Sequence, residues 1–457
     1  MSESLTLKRD MSSFGGLLIT LSCLSPSIGV FIVGNDVLHQ VGTGALACFV
    51  AAVVLGVAMA AVYAELGSAF PHTGGEYTIT AATLGPVWGF GILANTLIGY
   101  CIALATSGLG VVDYLRPVFP GLPPVAGAMA LIVAVTLIAI LSVKVNAVVT
   151  GLFLGLEIMT LFGTAALGLL HAHTGNAALL LHPLVGVGQG GLRPVTAVAL
   201  GAAASSAIYA FNGYGAVVFL GEEIRHARAR MGQVVYWALG IAAVTELAPL
   251  AGIILGAPDL AAMTASDAPL PQFFRALGGE GLSRLLSLAV ATAIFNTMIA
   301  VALLGGRQVF ASARDRAWPE VVSAQLDRIH PRFGSPWVAT LLLGVCALSI
   351  TAVPTHVLLV ILGNGNVALY AALSVAVIAG RRQGTTALSQ SRAPFHPLAP
   401  VFSLVCLAGI VWASWQDRET GRPGLLATAI IFGAGAAYYL LVLRRSGRWR
   451  MRGPVDG

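Results

Sequence analysis

The chain has 457 residues, of which 57% are hydrophobic and only 10% charged, against about 25% charged in an ordinary soluble domain. That composition excludes a soluble globular protein. The net charge of +6 would suit a nucleic-acid binder, but the 23 Arg and two Lys (Lys8 and Lys144) fall mostly in alternate loops, so the charge sets orientation and implies no nucleic-acid partner.

In chain order, apolar stretches run over 13–38, 43–66, 86–115, 123–142, 147–171, 195–222, 232–256, 283–305, 336–353, 356–380, 398–416 and 424–443. Each is close to the about 20 residues that cross one hydrocarbon core. A chain that must satisfy its backbone groups internally in lipid forms helices, so the expectation is an all-α polytopic membrane protein of twelve transmembrane helices. With the N-terminus inside, 19 of the 25 basic residues lie on the inner side and six outside, namely Arg116, Arg193, Arg275, Arg284, Arg418 and Arg422. Both termini are therefore expected in the cytoplasm, with the protein in the inner membrane. Residues 1–12 form an inner tail, in which Lys8 and Arg9 precede a retained first helix rather than a cleaved signal. Residues 13–443 form one transmembrane domain, and 444–457 a basic tail whose Arg444 to Arg452 cluster faces anionic lipid. The five cysteines sit inside apolar runs without ligand spacing and read as packing residues.

Two spans carry helix breakers near their middles. The first contains Leu24-Ser25-Pro26-Ser27-Ile28-Gly29, where Pro26 lacks a donor. The sixth contains Phe211-Asn212-Gly213-Tyr214-Gly215 at comparable depth. Five spans separate them, which predicts a 5+5 inverted repeat (about 13–171 and 195–380) with broken helices 1 and 6, followed by helices 11 and 12 over 398–443. Ordinary kinks are the alternative for either span alone. Between the breaks, Ser25, Ser27, Asn212 and Tyr214 supply polar groups, Ile28 an apolar neighbour, and Gly29, Gly213 and Gly215 close backbone approach. Phe211 is a candidate aromatic lid. Together these nine positions form the expected substrate site. Helix back-bonding for the serines and core packing for Phe211 and Tyr214 are the competing readings.

After the second span, Tyr63-Ala64-Glu65-Leu66, Pro71-His72-Thr73-Gly74-Gly75-Glu76-Tyr77 and Leu84-Gly85-Pro86 resemble the signature of amino acid-polyamine-organocation permeases. Gly213-Tyr214 with Gly221-Glu222-Glu223-Ile224, Arg307 through Ala313-Arg314-Asp315 to Pro319, and Ser335-Pro336 are similar to the same family. The resemblance implies a leucine-transporter-type fold, transport of an amino acid or amine, and a first break whose main-chain N–H groups meet a substrate carboxylate. The first break departs from the family's Gly-Ser-Gly-Ile form by reading Ser27-Ile28-Gly29-Val30, and Gly215 stands where many relatives have an acidic residue.

A charged side chain at the bilayer centre costs roughly 2.5–3.5 kcal/mol on insertion scales. Glu157 in the fifth span and Glu246 in the seventh therefore stand out. Each reads either as a proton-carrying or cation-binding carboxylate or as a hydrogen-bonded link between helices. Thr292, Asn296 and Thr297 in the eighth span offer oxygens to a hard cation such as sodium, or bond to their own helix. Glu65, Glu222 and Glu223, at inner helix ends, are expected to pair with arginines such as Arg225 or Arg314 and form an inner gate. Asp36 and His39 near the outer end of the first helix read either as pathway residues or as a water-facing helix end. Gly186-Val187-Gly188-Gln189-Gly190-Gly191 has no βαβ context and reads as a flexible outer loop, with His171, His173 and His182 solvated beside it.

The expectation is a secondary active transporter moving an amino acid or related amine by alternating access, proton-coupled or exchanging. No cofactor, no metal and no obligate protein partner are implied; the partners are a small-molecule substrate, the bilayer and a coupling proton. A sodium-coupled carrier and a non-transporting receptor or channel on the same scaffold are the alternatives. The spans carry no nucleophile or metal constellation that would make an enzyme.

Overall fold

The computed structural model describes residues 11–451 except positions 73, 117, 142, 188–190, 223, 267 and 395, with side chains described outside 143–152. Lys8, Arg9, Thr73, Glu223, Gly188 to Gly190, Arg452 and the side chain of Lys144 thus lie outside the described residues.

Helices hydrophobic all round have no face for water, and here they bundle. Among the described residues, eight helical runs are long and apolar enough to cross a membrane, and counting the bent pair Ala197–Ala210 and Tyr214–Leu220 makes nine. The first run, Ser13–Ala69, has 57 residues and holds two of the apolar stretches. Pro124–Ala139 and Trp337–Ile350 are shorter apolar helices. Outward faces expose Val50, Val54 and Val57, and elsewhere Trp237, Val345 and Ile430, which lipid rather than water would solvate.

The first break is a sharp one. Helix Ser13–Leu24 stops at Ser25, whose left-handed φ of 47° is unusual for a residue with a side chain. A short turn Pro26–Ile28 follows, then a π-helical stretch Gly29–Gly34 and a helix Asn35–Val41. The second break bends by 41° between Ala197–Ala210 and the 3₁₀ segment Tyr214–Leu220. Gly213 takes φ 133° there, which only glycine adopts without strain.

Small residues bring two carboxylate-bearing helices together. Helices Val143–Leu170 and Ala227–Gly256 pack against each other. A Cβ at Gly252 would stand 2.7 Å from the Ala165 carbonyl oxygen, and a Cβ at Gly168 or Gly256 would likewise overlap the facing backbone. This Gly252-to-Gly256 spacing lets the backbones touch, and Glu157 and Glu246 on these helices both reach the first break.

The connection around Gly186 departs from the expected flexible loop. Leu184–Val187 and Gly191–Pro194 pair as an antiparallel ribbon. Its Leu184 N–H donates to Thr43 Oγ1 at 3.0 Å and its Gly186 N–H to Thr264 Oγ1 at 2.9 Å, so side chains from two helix ends hold it. Among the described residues the fold is therefore helical with one small ribbon. The basic tail also differs from a segment lying only on lipid. The Trp449 indole donates to Tyr77 Oη at 2.6 Å, Arg450 N donates to the Asp315 carbonyl at 3.2 Å, and Tyr439 stacks on Phe90. Aromatic burial holds the tail on the protein, while Arg444, Arg445, Arg448 and Arg450 remain exposed.

Candidate substrate site between the two breaks

The two breaks meet main chain to main chain. A Cβ at Gly213 would stand 2.5 Å from Leu24 Cα, so the second break rests directly on the end of helix Ser13–Leu24. Beside this contact lies a cavity of about 110 Å³. Leu24 and Ile28 line it from the first break, and Asn212, Gly213 and Gly215 from the second. Tyr100, Ile102, Val301 and Leu369 supply an apolar wall, with Asn95, Asn366 and Thr297 as amide and hydroxyl groups.

Of the nine positions expected to bind substrate, Ile28, Asn212, Gly213 and Gly215 line the cavity. Ser25, Ser27, Gly29, Phe211 and Tyr214 face elsewhere. Glu157 Oε1 accepts from Ser25 Oγ at 2.9 Å and from the Ser27 N–H at 2.8 Å. Gly29 touches the Glu246 carboxyl. Phe211 packs edge-on against Phe49, with centroids 5.7 Å apart, and sits in the core. Tyr214 belongs to a tyrosine cluster with Tyr63 and Tyr370, at centroid distances of 5.7 and 6.3 Å.

Glu157 and Glu246 are both fully buried. Glu157 Oε2 and both oxygens of Glu246 have no hydrogen-bond partner among the described residues. Glu157 does link two helices, as the structural alternative expects, yet the pair leaves three carboxyl oxygens open beside the first break. In the eighth span, Thr292 and Thr297 donate back to the Leu288 and Ala293 carbonyls. The Asn296 amide is buried without a partner among the described residues.

In the sequence Glu76 stands only as part of a motif, and the structure places it in the cavity wall. Helix Gly75–Leu84 turns back into the bundle, and Glu76 Oε1 accepts from Tyr63 Oη at 3.0 Å. Gly215 makes room for the Tyr63 ring, since a Cβ there would overlap it. The signal available in the sequence was an acidic residue between glycines and a run of threonines and alanines. Asn95 and Asn366 gave none beyond being amides inside apolar runs.

The two ends of the molecule differ. At the Arg-rich end, Arg381 Nε donates to Glu65 Oε1 at 2.7 Å and the Ala393 N–H to Glu65 Oε2 at 2.8 Å. Arg314 meets Glu222 at 3.4 Å. Glu222 thus pairs with an expected arginine, whereas Glu65 takes Arg381. At the opposite end a vestibule of about 1340 Å³ opens, lined by Asp36, His39, Asp113, Arg275 and Asp417 among others.

A family model described as amino acid permease matches residues 13–443. The chain is 24% identical to the methylthioribose transporter of Bacillus subtilis, over 91% of this chain and 92% of that one. It is 23% identical to the branched-chain amino acid permease of the same organism, over 93% of each chain. It is also 27% identical to human Asc-type amino acid transporter 1, over 74% of this chain and 65% of the relative.

Proposed function

Because the chain belongs to the amino acid permease family, we propose that this multi-pass membrane transporter is a secondary carrier that moves an amino acid or related amine by alternating access. The carrying observation is the contact of Gly213 with Leu24 beside a cavity lined by both breaks, since half-helix breaks meeting at mid-depth are where such carriers hold their cargo. The names of the relatives, which span amino acids and methylthioribose, support a small polar organic substrate. Counting Ser13–Ala69 as two crossings and the two shorter helices as one each supports twelve spans in two inverted halves of five plus two. The arginine distribution supports an inner-membrane protein with both termini cytoplasmic.

In this reading the structure is the outward-facing form: the vestibule opens outside, and the Glu65–Arg381 and Glu222–Arg314 pairs close the inside. Glu157 and Glu246 carry the coupling proton. A protonated Glu157 is a weaker acceptor for the Ser27 N–H, so loading the proton loosens the first break and unloading it locks the break again. Counterflow in proteoliposomes tests the carrier. Saturable, substrate-specific exchange of labelled compound is expected, and conductance without saturation overturns it.

A further inference from the structure

The main-chain donors of the first break are already spent inside the protein. Ser27 N–H is taken by Glu157, Ile28 N–H donates to Ser25 Oγ at 3.3 Å, and Gly29 N–H donates to the Ser25 carbonyl at 3.2 Å. A substrate carboxylate arriving there would have to displace Glu157 and then lie against a second carboxyl, Glu246, on Gly29. Like charges that close in a medium of low dielectric repel strongly. Of the three donor residues only Ile28 borders the cavity, and its N–H is already given to Ser25 Oγ; Ser27 and Gly29 do not line it.

Within the cavity the balance of charge has one sign. Among the described lining residues, Glu76 is the only charged side chain, and no Arg, Lys or His stands there to meet an anion. Glu76 is 6% exposed. Tyr63 fixes one of its oxygens, leaving it aimed at the cavity from a held position. The other polar groups of the wall, among them Asn95, Asn212, Asn366 and Thr297, are neutral and can serve as donors or acceptors, and most of the remaining wall is apolar.

Resting on the reading of the chain as a carrier, we infer that the cavity takes a small organic amine lacking an α-carboxylate, with Glu76 as the counter-ion of its ammonium group. The ammonium meets Glu76, with the amide oxygens of the wall as further acceptors. The hydrocarbon part lies on Leu24, Ile28 and Val301. An α-amino acid brings the same ammonium but a carboxylate with no positive partner, and a buried unpaired charge is what such a wall rejects.

The test compares side chains with and without the carboxylate on the full-length protein: isobutylamine against valine, isopentylamine against leucine, putrescine against ornithine, with valine methyl ester as a third member. Each is scored by thermal shift in detergent and as a competitor in counterflow. At least one amine is expected to bind about tenfold or more tighter than its amino acid, with the ester nearer the amine. The Glu76→Gln protein is expected to melt near the parent and lose the amine response. An amino acid that binds as well as its amine overturns the assignment while leaving the carrier intact, as does a folded Glu76→Gln protein that keeps the amine response. Failure of every amine in both assays likewise overturns the assignment, while the carrier reading falls only if counterflow shows conductance without saturation. If Glu76→Gln does not fold, the paired series on the parent protein decides the question alone.

Discussion

The carboxyl of Glu246 lies against Gly29. A Cβ built at position 29 would stand 2.6 Å from both Cδ and Oε2 of that glutamate. Gly29→Ala should therefore either push Glu246 aside or bend the π-helical stretch, at a cost of about 1–3 kcal/mol for overpacking. Transport should fall with it. In a Glu246→Ala background the same change should cost much less, because the clash is gone. Melting temperatures of the four proteins in that cycle measure the coupling; additive costs would mean the two residues do not touch.

Glu157→Gln separates the structural from the titrating role of Glu157. A glutamine keeps a carbonyl oxygen that can accept from Ser25 and Ser27, so the fold should survive with a small loss of stability. Uptake driven by an imposed inward proton gradient should disappear, while exchange at equal pH on both sides should persist. The comparison is made in proteoliposomes with and without the gradient. Retention of full gradient-driven uptake would assign Glu157 to helix linkage alone.

The two breaks were legible because breakers stand out in apolar runs: Pro26 and Gly29 in one, Gly213 and Gly215 in the other. Glu157 and Glu246 were legible for a related reason, as carboxylates where lipid penalises charge. What each residue faces was not. Ser25 and Ser27 turn to Glu157, and Phe211 turns to Phe49, because side-chain direction depends on how helices rotate once packed. Glu76 was missed as a cavity residue because its place depends on helix Gly75–Leu84 re-entering the bundle, a tertiary fact with no local signature. The ribbon at Leu184–Val187 was hidden by glycines that also suit a loop; the partners holding it, Thr43 and Thr264, are far away in sequence.

Arg381→Ala should open the Arg-rich end. Glu65 is 1% exposed, and removing the partner of a buried charge costs up to about 3–5 kcal/mol, less to the extent that Arg381 reaches water. Hydrogen exchange across Gly75–Leu84 and around Ala393 should accelerate, since these segments pack on the closure. The paired reversal Glu65→Arg with Arg381→Glu should recover part of the protection. Unchanged exchange in the single variant would show that the pair does not hold the closed end.

Trp449→Ala should loosen the tail without touching the cavity. The indole donates to Tyr77 and packs edge-on against Phe90 at 5.5 Å, and Tyr77 in turn donates to Asp315 at 3.1 Å. For a half-buried ring with one hydrogen bond the expected loss is about 1–3 kcal/mol. Limited proteolysis should then remove the residues after Leu443 faster than in the parent, with substrate affinity unchanged.

Asp417, in the connection after helix Leu398–Gln416, gives a pH-dependent signature. Burial works to raise its carboxyl, but bonds from the Thr420 hydroxyl and the amides of Gly421, Glu419 and Thr420 outweigh it and hold the group below the usual carboxylate range. A depressed folded-state value stabilises the fold above the ordinary carboxylate range, and that stability is lost as pH falls through the folded value. Asp417→Asn should lower the melting temperature at neutral pH, and the gap should narrow under acid. A gap independent of pH would contradict this.

The most direct test of the cavity as the place of binding uses a residue already in its wall. Cys23 lines the cavity, and a protein with Cys48, Cys101, Cys346 and Cys406 replaced by serine or alanine reports on Cys23 alone. A transported compound at concentrations that saturate counterflow should protect Cys23 from a small thiol reagent, half-maximally at its transport affinity. Labelling that proceeds at the same rate with the transporter saturated would contradict a substrate held between the two breaks.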